Sequence, residues 1–207
     1  MIIDPANTPA SDVYRAMIRS VVPRPIAWVS SVSADGTHNL APFSFFMAIS
    51  ADPPTLAFAP GRRSRDGGKK DTLRNIEETG EFVVNVVGED LAEEMNETAT
   101  DYPDEVSEFV EAGLTPVPGD VVRAPRVAES PVNFECRKYD IIPVGPDGTG
   151  GAALVIGEVV RIHIDERVLR EGKIDPELLR PIGRLGGMEY TRTRDRFVMV
   201  RKKLDSE

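Results

Sequence analysis

Two long apolar-rich runs, residues 132–144 and 153–164, are joined by Gly145-Pro146-Asp147-Gly148-Thr149-Gly150-Gly151. So short and glycine-rich a connection can reverse the chain but cannot carry a crossover helix. The two runs therefore read as one long antiparallel hairpin. Glu135, Arg137 and Lys138 interrupt the first run, as expected for a strand with one wet face. Further strands fit the same class. Residues 26–33 and 37–46 flank the turn Asp35-Gly36 and read as a second hairpin. Shorter strands are expected at 55–59, 81–87 and 196–200. Between them the periodicity predicts short helices over 11–20, with Ser11 or Asp12 as N-cap, and over 72–79, with Asp71 as N-cap and Gly80 as stop. Others are expected at 91–99 and 106–112. Residues 114–131 read as an extended connection, and 165–179 as helix or turn. No strand–helix alternation marks a doubly wound sheet. The expected fold is mainly β: one antiparallel barrel with appended short helices, a single domain over residues 1–207.

Composition bounds the function. Of 207 residues, 41% are hydrophobic and 29% charged, which fits an ordinary globular chain. No stretch approaches the roughly 20 apolar residues of a membrane-spanning helix. The start, Met1-Ile2-Ile3-Asp4-Pro5, lacks a basic region followed by an apolar core, so no signal peptide is expected. Cys136 is the only cysteine, which excludes an intramolecular disulfide and fits a reducing, cytoplasmic setting. The formal charge of −9 argues against nucleic acid as a partner. One local exception is the basic segment Arg62, Arg63, Arg65, Lys69 and Lys70, which reads either as an anion-binding loop or as solvated surface.

The inventory of catalytic groups is nearly empty. His38 and His163 stand far apart without ligands at metal spacing, so no metal site is expected, and His163 reads as structural. No G-x-S-x-G, no G-x-x-x-x-G-K-[ST] and no dinucleotide fingerprint occurs. Cys136 reads as a core residue. A redox cofactor that brings its own chemistry would account for such a chain without a catalytic side chain of its own.

Three segments point to that cofactor: Pro23-Arg24-Pro25-Ile26-Ala27-Trp28-Val29-Ser30-Ser31, Asn39-Leu40-Ala41-Pro42-Phe43-Ser44-Phe45-Phe46, and Lys70-Asp71-Thr72-Leu73-Arg74-Asn75-Ile76. In this order the chain resembles the flavin reductase-like family, the FMN-binding split-barrel proteins. That family includes flavoredoxin and the reductase components of two-component monooxygenases. The likeness extends through Gly80-Glu81-Phe82-Val83-Val84-Asn85 to Gly183-Arg184-Leu185-Gly186-Gly187, covering about residues 14–200.

The resemblance implies a Greek-key split barrel that binds FMN, works as a homodimer and takes hydride from NADH or NADPH. Free flavin or a redox partner protein would then receive the electrons. The alternative it leaves open is a flavoredoxin-like carrier with no nicotinamide oxidation of its own. A barrel holding haem or pyridoxal phosphate is disfavoured by the second and third segments. Residues expected around the ring and ribityl chain are Trp28, Val29, Ser30, Ser31, Asn39, Ala41, Phe43, Ser44 and Phe45. Arg184 and Tyr190 are expected near the ring. Lys70, Asp71 and Thr72 are expected at the phosphate, where a helix N-terminus favours an anion.

Overall fold

The long hairpin forms as expected and organises everything else. The computed structural model describes residues 1–202. Strand β8 (Val132–Val144) pairs with β9 (Ala152–Ile164) from Val132 opposite Ile164 to Val144 opposite Ala152. Bulges interrupt the register near Glu135 and Lys138, letting so long a hairpin bend. Around it lie β1 (Ala27–Val32), β2 (His38–Phe43), β3 (Phe46–Ala51), β4 (Pro54–Phe58) and β5 (Glu81–Asn85). The resulting antiparallel sheet has the order β2-β1-β5-β8-β9-β4-β3. Short ribbons pair β6 (Pro116–Val117) with β7 (Arg126–Val127), β10 (Leu169–Arg170) with β11 (Lys173–Ile174), and β12 (Ile182–Arg184) with β13 (Tyr190–Arg192).

The sheet curls because one face shares a single core. Ala27, Val29, Phe43, Phe58, Phe82, Cys136 and Val155 meet there, and helix α2 (Asp71–Thr79) closes the side with Leu73 and Ile76. Gly157 permits the closest approach: a Cβ at this position would stand 2.3 Å from Phe82 Cζ. Successive residues of β1 point to opposite faces, so Trp28 leaves that core for a second one. There it packs with Leu40, Met95, Phe109 and Val127 beneath helices α3 (Ala92–Glu97) and α4 (Glu108–Glu111). Helix α1 (Ala10–Ser20) buries none of its residues, and α5 (Pro176–Leu179) is a single turn.

Several expectations need correction. The returning strand does not run unbroken from 37 to 46. It stops at Phe43, because Ser44 accepts a hydrogen bond from the Arg24 guanidinium (3.2 Å), and the chain restarts as β3. Helix α1 is capped by Pro9 rather than Ser11 or Asp12, and α2 starts one residue early, with Lys70 in the cap position. The helix expected at 91–99 is a 3-10 turn followed by α3, which ends at Glu97. Residues 196–200 form no strand. Glu135 is not on a wet face: it is 0% exposed. Gly80 does end α2, with φ of +72°.

Candidate functional site

The one-letter order Lys-Asp-Thr places a helix start against the barrel. Lys70 is extended and precedes α2, and no side chain caps the helix. The Leu73 N–H turns back to the Lys70 carbonyl (3.0 Å). The Arg74 N–H bonds to the same carbonyl (3.1 Å), so the Asp71 and Thr72 N–H groups are the ones that open the helix without an intrahelical acceptor. This end faces strand β2 across a small cleft. Six of the expected residues line it: Asn39, Ala41, Phe43, Lys70, Asp71 and Thr72. Pro42, residues 98–102 and Glu108 complete the wall.

Beneath the cleft runs a closed polar network. The Thr72 hydroxyl donates to Asn39 Oδ1 (2.8 Å), and Ser31 Oγ donates to the same oxygen (3.2 Å). Asn75 Nδ2 donates to Ser31 Oγ (3.0 Å). Asn39 Nδ2 donates to both oxygens of Glu108 (2.8 and 2.9 Å), and the Leu40 N–H donates to Glu108 as well (2.9 Å). Burial pushes the Glu108 carboxyl above its ordinary value, and the hydrogen bonds from Leu40 and Asn39 offset this only in part. Asp71 is raised too, first by burial; Arg74 opposes the shift and Asp104 adds to it.

The other expected residues stand apart from the cleft lining. Ser31 lies one layer behind it. Trp28 is fully buried, and its indole N–H donates to Thr98 Oγ1 (2.8 Å), bracing the wall segment from below. Val29 points into the barrel core. Ser30 donates to the Pro125 carbonyl and accepts from Asn85 Nδ2 (3.1 Å). Ser44 is held by Arg24, whose guanidinium also stands 5.7 Å from the Phe45 ring centroid. Arg184 and Tyr190 meet each other on the β12–β13 ribbon, guanidinium over ring at 4.3 Å, with the Tyr190 hydroxyl donating to Asn96. The basic segment is ion-paired: Arg62 with Asp147, Arg63 and Arg65 with Asp66 and Asp104, and Lys69 with Glu77. That leaves Lys70 as the segment's cation without an ion pair among the described residues.

Sequence reasoning missed the wall segment 98–102 and Glu108. Residues 98–102 follow an acidic helix and carry no pattern that separates them from a loop. Glu108 sits among Asp101, Asp104, Glu105 and Glu111 and reads like any solvated acidic face.

The cleft sets an uncapped helix start and a lysine without an ion pair beside the Ala41–Phe43 strand edge, with Asp71, Asp101 and Glu108 also in its lining. Over residues 18–189 the sequence matches the flavin reductase like domain. The chain belongs to the flavin reductase-like family. Nitrilotriacetate monooxygenase component B from Bacillus cereus is 37% identical with a TM-score of 0.90, covering 96% of this chain and 98% of its own. The 2-nitrobenzoate 2-nitroreductase NbaA of Pseudomonas fluorescens is 35% identical with a TM-score of 0.84, covering 100% and 99%. A Shewanella frigidimarina protein with a split barrel domain, 22% identical, shares the fold at a TM-score of 0.81, covering 98% and 100%. As a member of the flavin reductase-like family this chain is a flavin-related oxidoreductase with a split barrel. Among its described residues, no helix is long and apolar enough to cross a membrane.

Proposed function

We propose that this chain is a single-domain FMN-binding oxidoreductase of the cytoplasm that passes hydride from NADH or NADPH to flavin. The observation that carries this reading is the cleft at the start of α2. There Lys70, the free helix end and the Asn39–Phe43 edge offer, side by side, what a phosphate and an apolar ring each require. The flavin, when bound, would supply the redox chemistry. The chain's own part is to hold the phosphate at Lys70 and the backbone N–H groups that open α2, support the ring with Ala41, Pro42 and Phe43, and keep the floor rigid through Asn39. No protein nucleophile is needed for such a transfer.

The enclosed cavity is about 60 Å³, against roughly 300–1,000 Å³ for a pocket that surrounds a ligand of this size. On this reading, one copy of the chain leaves part of the flavin uncovered. A second copy supplies the missing cover on this reading. Helix α1 and strand β3 expose Tyr14, Met17, Met47 (57% exposed) and Ile49 (50%), an apolar and unpaired edge of the kind that folded proteins cover. Sedimentation should show a dimer at micromolar concentration, and Met47→Glu should shift it toward monomer. A wild-type monomer would sink the dimer.

The activity test is anaerobic mixing of FMN-loaded protein with each nicotinamide. Bleaching of the flavin absorbance by NADH or NADPH, sustained by added free flavin, supports the reductase reading. Reduction by dithionite but by neither nicotinamide would instead favour a flavoredoxin-like electron carrier, and the electron donor would then be a protein.

A further inference from the structure

Glu108 has no place in the reading above, yet it is 6% exposed and carries three hydrogen bonds beneath the cleft. Resting on the flavin reading, we infer that Glu108 is a positioning residue that sets the direction of hydrogen bonding in the cleft floor. Its effect is to make Thr72 an acceptor for an N–H or O–H of the ligand, and not a partner of its phosphate.

Both Glu108 oxygens lie against Asn39 Nδ2, at 2.8 and 2.9 Å, and one of them also accepts the Leu40 N–H (2.9 Å), so Asn39 turns its amide nitrogen and not its oxygen toward Glu108. The amide oxygen then faces Thr72 and Ser31, and both hydroxyls must donate to it. Ser31 also accepts from Asn75, which closes the network on that side. The Thr72 hydroxyl has one proton, and Asn39 takes it. What Thr72 offers the cleft is its lone pairs. A phosphate dianion is likewise an acceptor without protons, so the two repel rather than bond. A flavin's imide N–H and its ribityl hydroxyls are donors, and these complement the oxygen that Thr72 presents. The phosphate is left to Lys70 and the helix end. The Lys-Asp-Thr run thus splits into an anion contact at Lys70 and an acceptor contact at Thr72, which its sequence does not reveal.

The test compares FMN with riboflavin, which lacks only the phosphate, by equilibrium titration of the wild type, Thr72→Val, Glu108→Gln and the double variant. Thr72→Val keeps the side-chain shape and removes the hydroxyl. It should weaken both flavins by the same factor, about three- to tenfold, as for a lost neutral hydrogen bond. Glu108→Gln lets Asn39 turn over and should weaken both flavins equally as well. The double variant should be no weaker than Thr72→Val alone, because Glu108 acts through Thr72; a merely structural loss would add. Loss of FMN affinity with riboflavin untouched would place Thr72 at the phosphate and overturn the inference, as would no change in either. Should Glu108→Gln fail to fold, the Thr72→Val ratio still decides. Failure of the flavin reading itself is read separately, as absence of binding by the wild type.

Discussion

Among the described residues two glutamates are buried, and their surroundings are opposite. Glu135 sits on β8 at the bulge, fully enclosed. It accepts from the backbone N–H groups of Asp120 (2.8 Å), Val121 (2.8 Å) and Val122 (3.1 Å), and His163 Nε2 lies 2.5 Å from it. Burial alone would raise its carboxyl. The hydrogen bonds from Asp120, Val121 and His163 outweigh that and hold it below the ordinary range. Glu108 sits beneath the cleft with one amide and one backbone N–H, and remains above the ordinary range. Glu135 is thus satisfied as an anion and fastens residues 120–122 to the barrel. Glu108 is less well satisfied as an anion, and its two oxygens orient Asn39. The difference teaches that burial of a charge does not mark a site; incomplete satisfaction of that charge beside a cleft does.

The comparison can be broken most forcefully at Glu135. Glu135→Ala orphans three backbone N–H groups and His163 and should cost about 3–5 kcal/mol of stability, read as a lowered urea midpoint. Flavin affinity of the remaining folded protein should not change. A loss below about 1 kcal/mol would mean that residues 120–122 hold without the carboxylate, and the contrast with Glu108 would fail.

The pH dependence of stability sharpens the contrast through its sign. Glu135 has a lowered value in the fold, so its contribution is present above the unfolded-state value and is lost as the pH falls through the folded value. Glu108 has a raised value, so the folded state binds the proton more tightly than the unfolded state. Its ionisation therefore removes stability as the pH rises from the ordinary carboxylate value through the raised one. Glu135→Gln should flatten the acid limb of the stability–pH curve, and Glu108→Gln should flatten the decline above it. Slopes of the same sign for both residues would contradict the account.

A smaller effect is expected from Glu108→Gln at neutral pH. Gln keeps the shape and one acceptor while removing a desolvated charge, so folding should change by less than about 1 kcal/mol, even as flavin affinity falls. A cost as large as that of Glu135→Ala would make Glu108 a second structural staple.

These two residues also show what was legible in the sequence. The hairpin of β8 and β9 was, because long apolar runs flanking a glycine-rich turn leave few alternatives, and so was the Gly80 stop of α2. The interior of Glu135 was not. A lone acid in a strand reads as a wet face, and only the fold of residues 120–122 over it, about 14 positions away in the chain, supplies the donors. Part of the cleft was legible: Asn39, Ala41, Phe43 and Lys70 through Thr72 come together because two motif segments meet there. Glu108 and residues 98–102 reach the same cleft from a stretch whose sequence looks like any acidic surface. Trp28 braces Thr98 behind the wall, since alternation along β1 sends its side chain to the second core.

On the proposed reading, this cleft holds a flavin by its phosphate at Lys70. Side-by-side equilibrium titration of wild type and Lys70→Ala with FMN and riboflavin tests it most directly. The account predicts that the wild type holds FMN more tightly than riboflavin. Lys70→Ala should then weaken FMN by about 1–3 kcal/mol, leave riboflavin unchanged and erase most of the preference. Equal wild-type affinity for the two flavins, or an unchanged preference in Lys70→Ala, would contradict it.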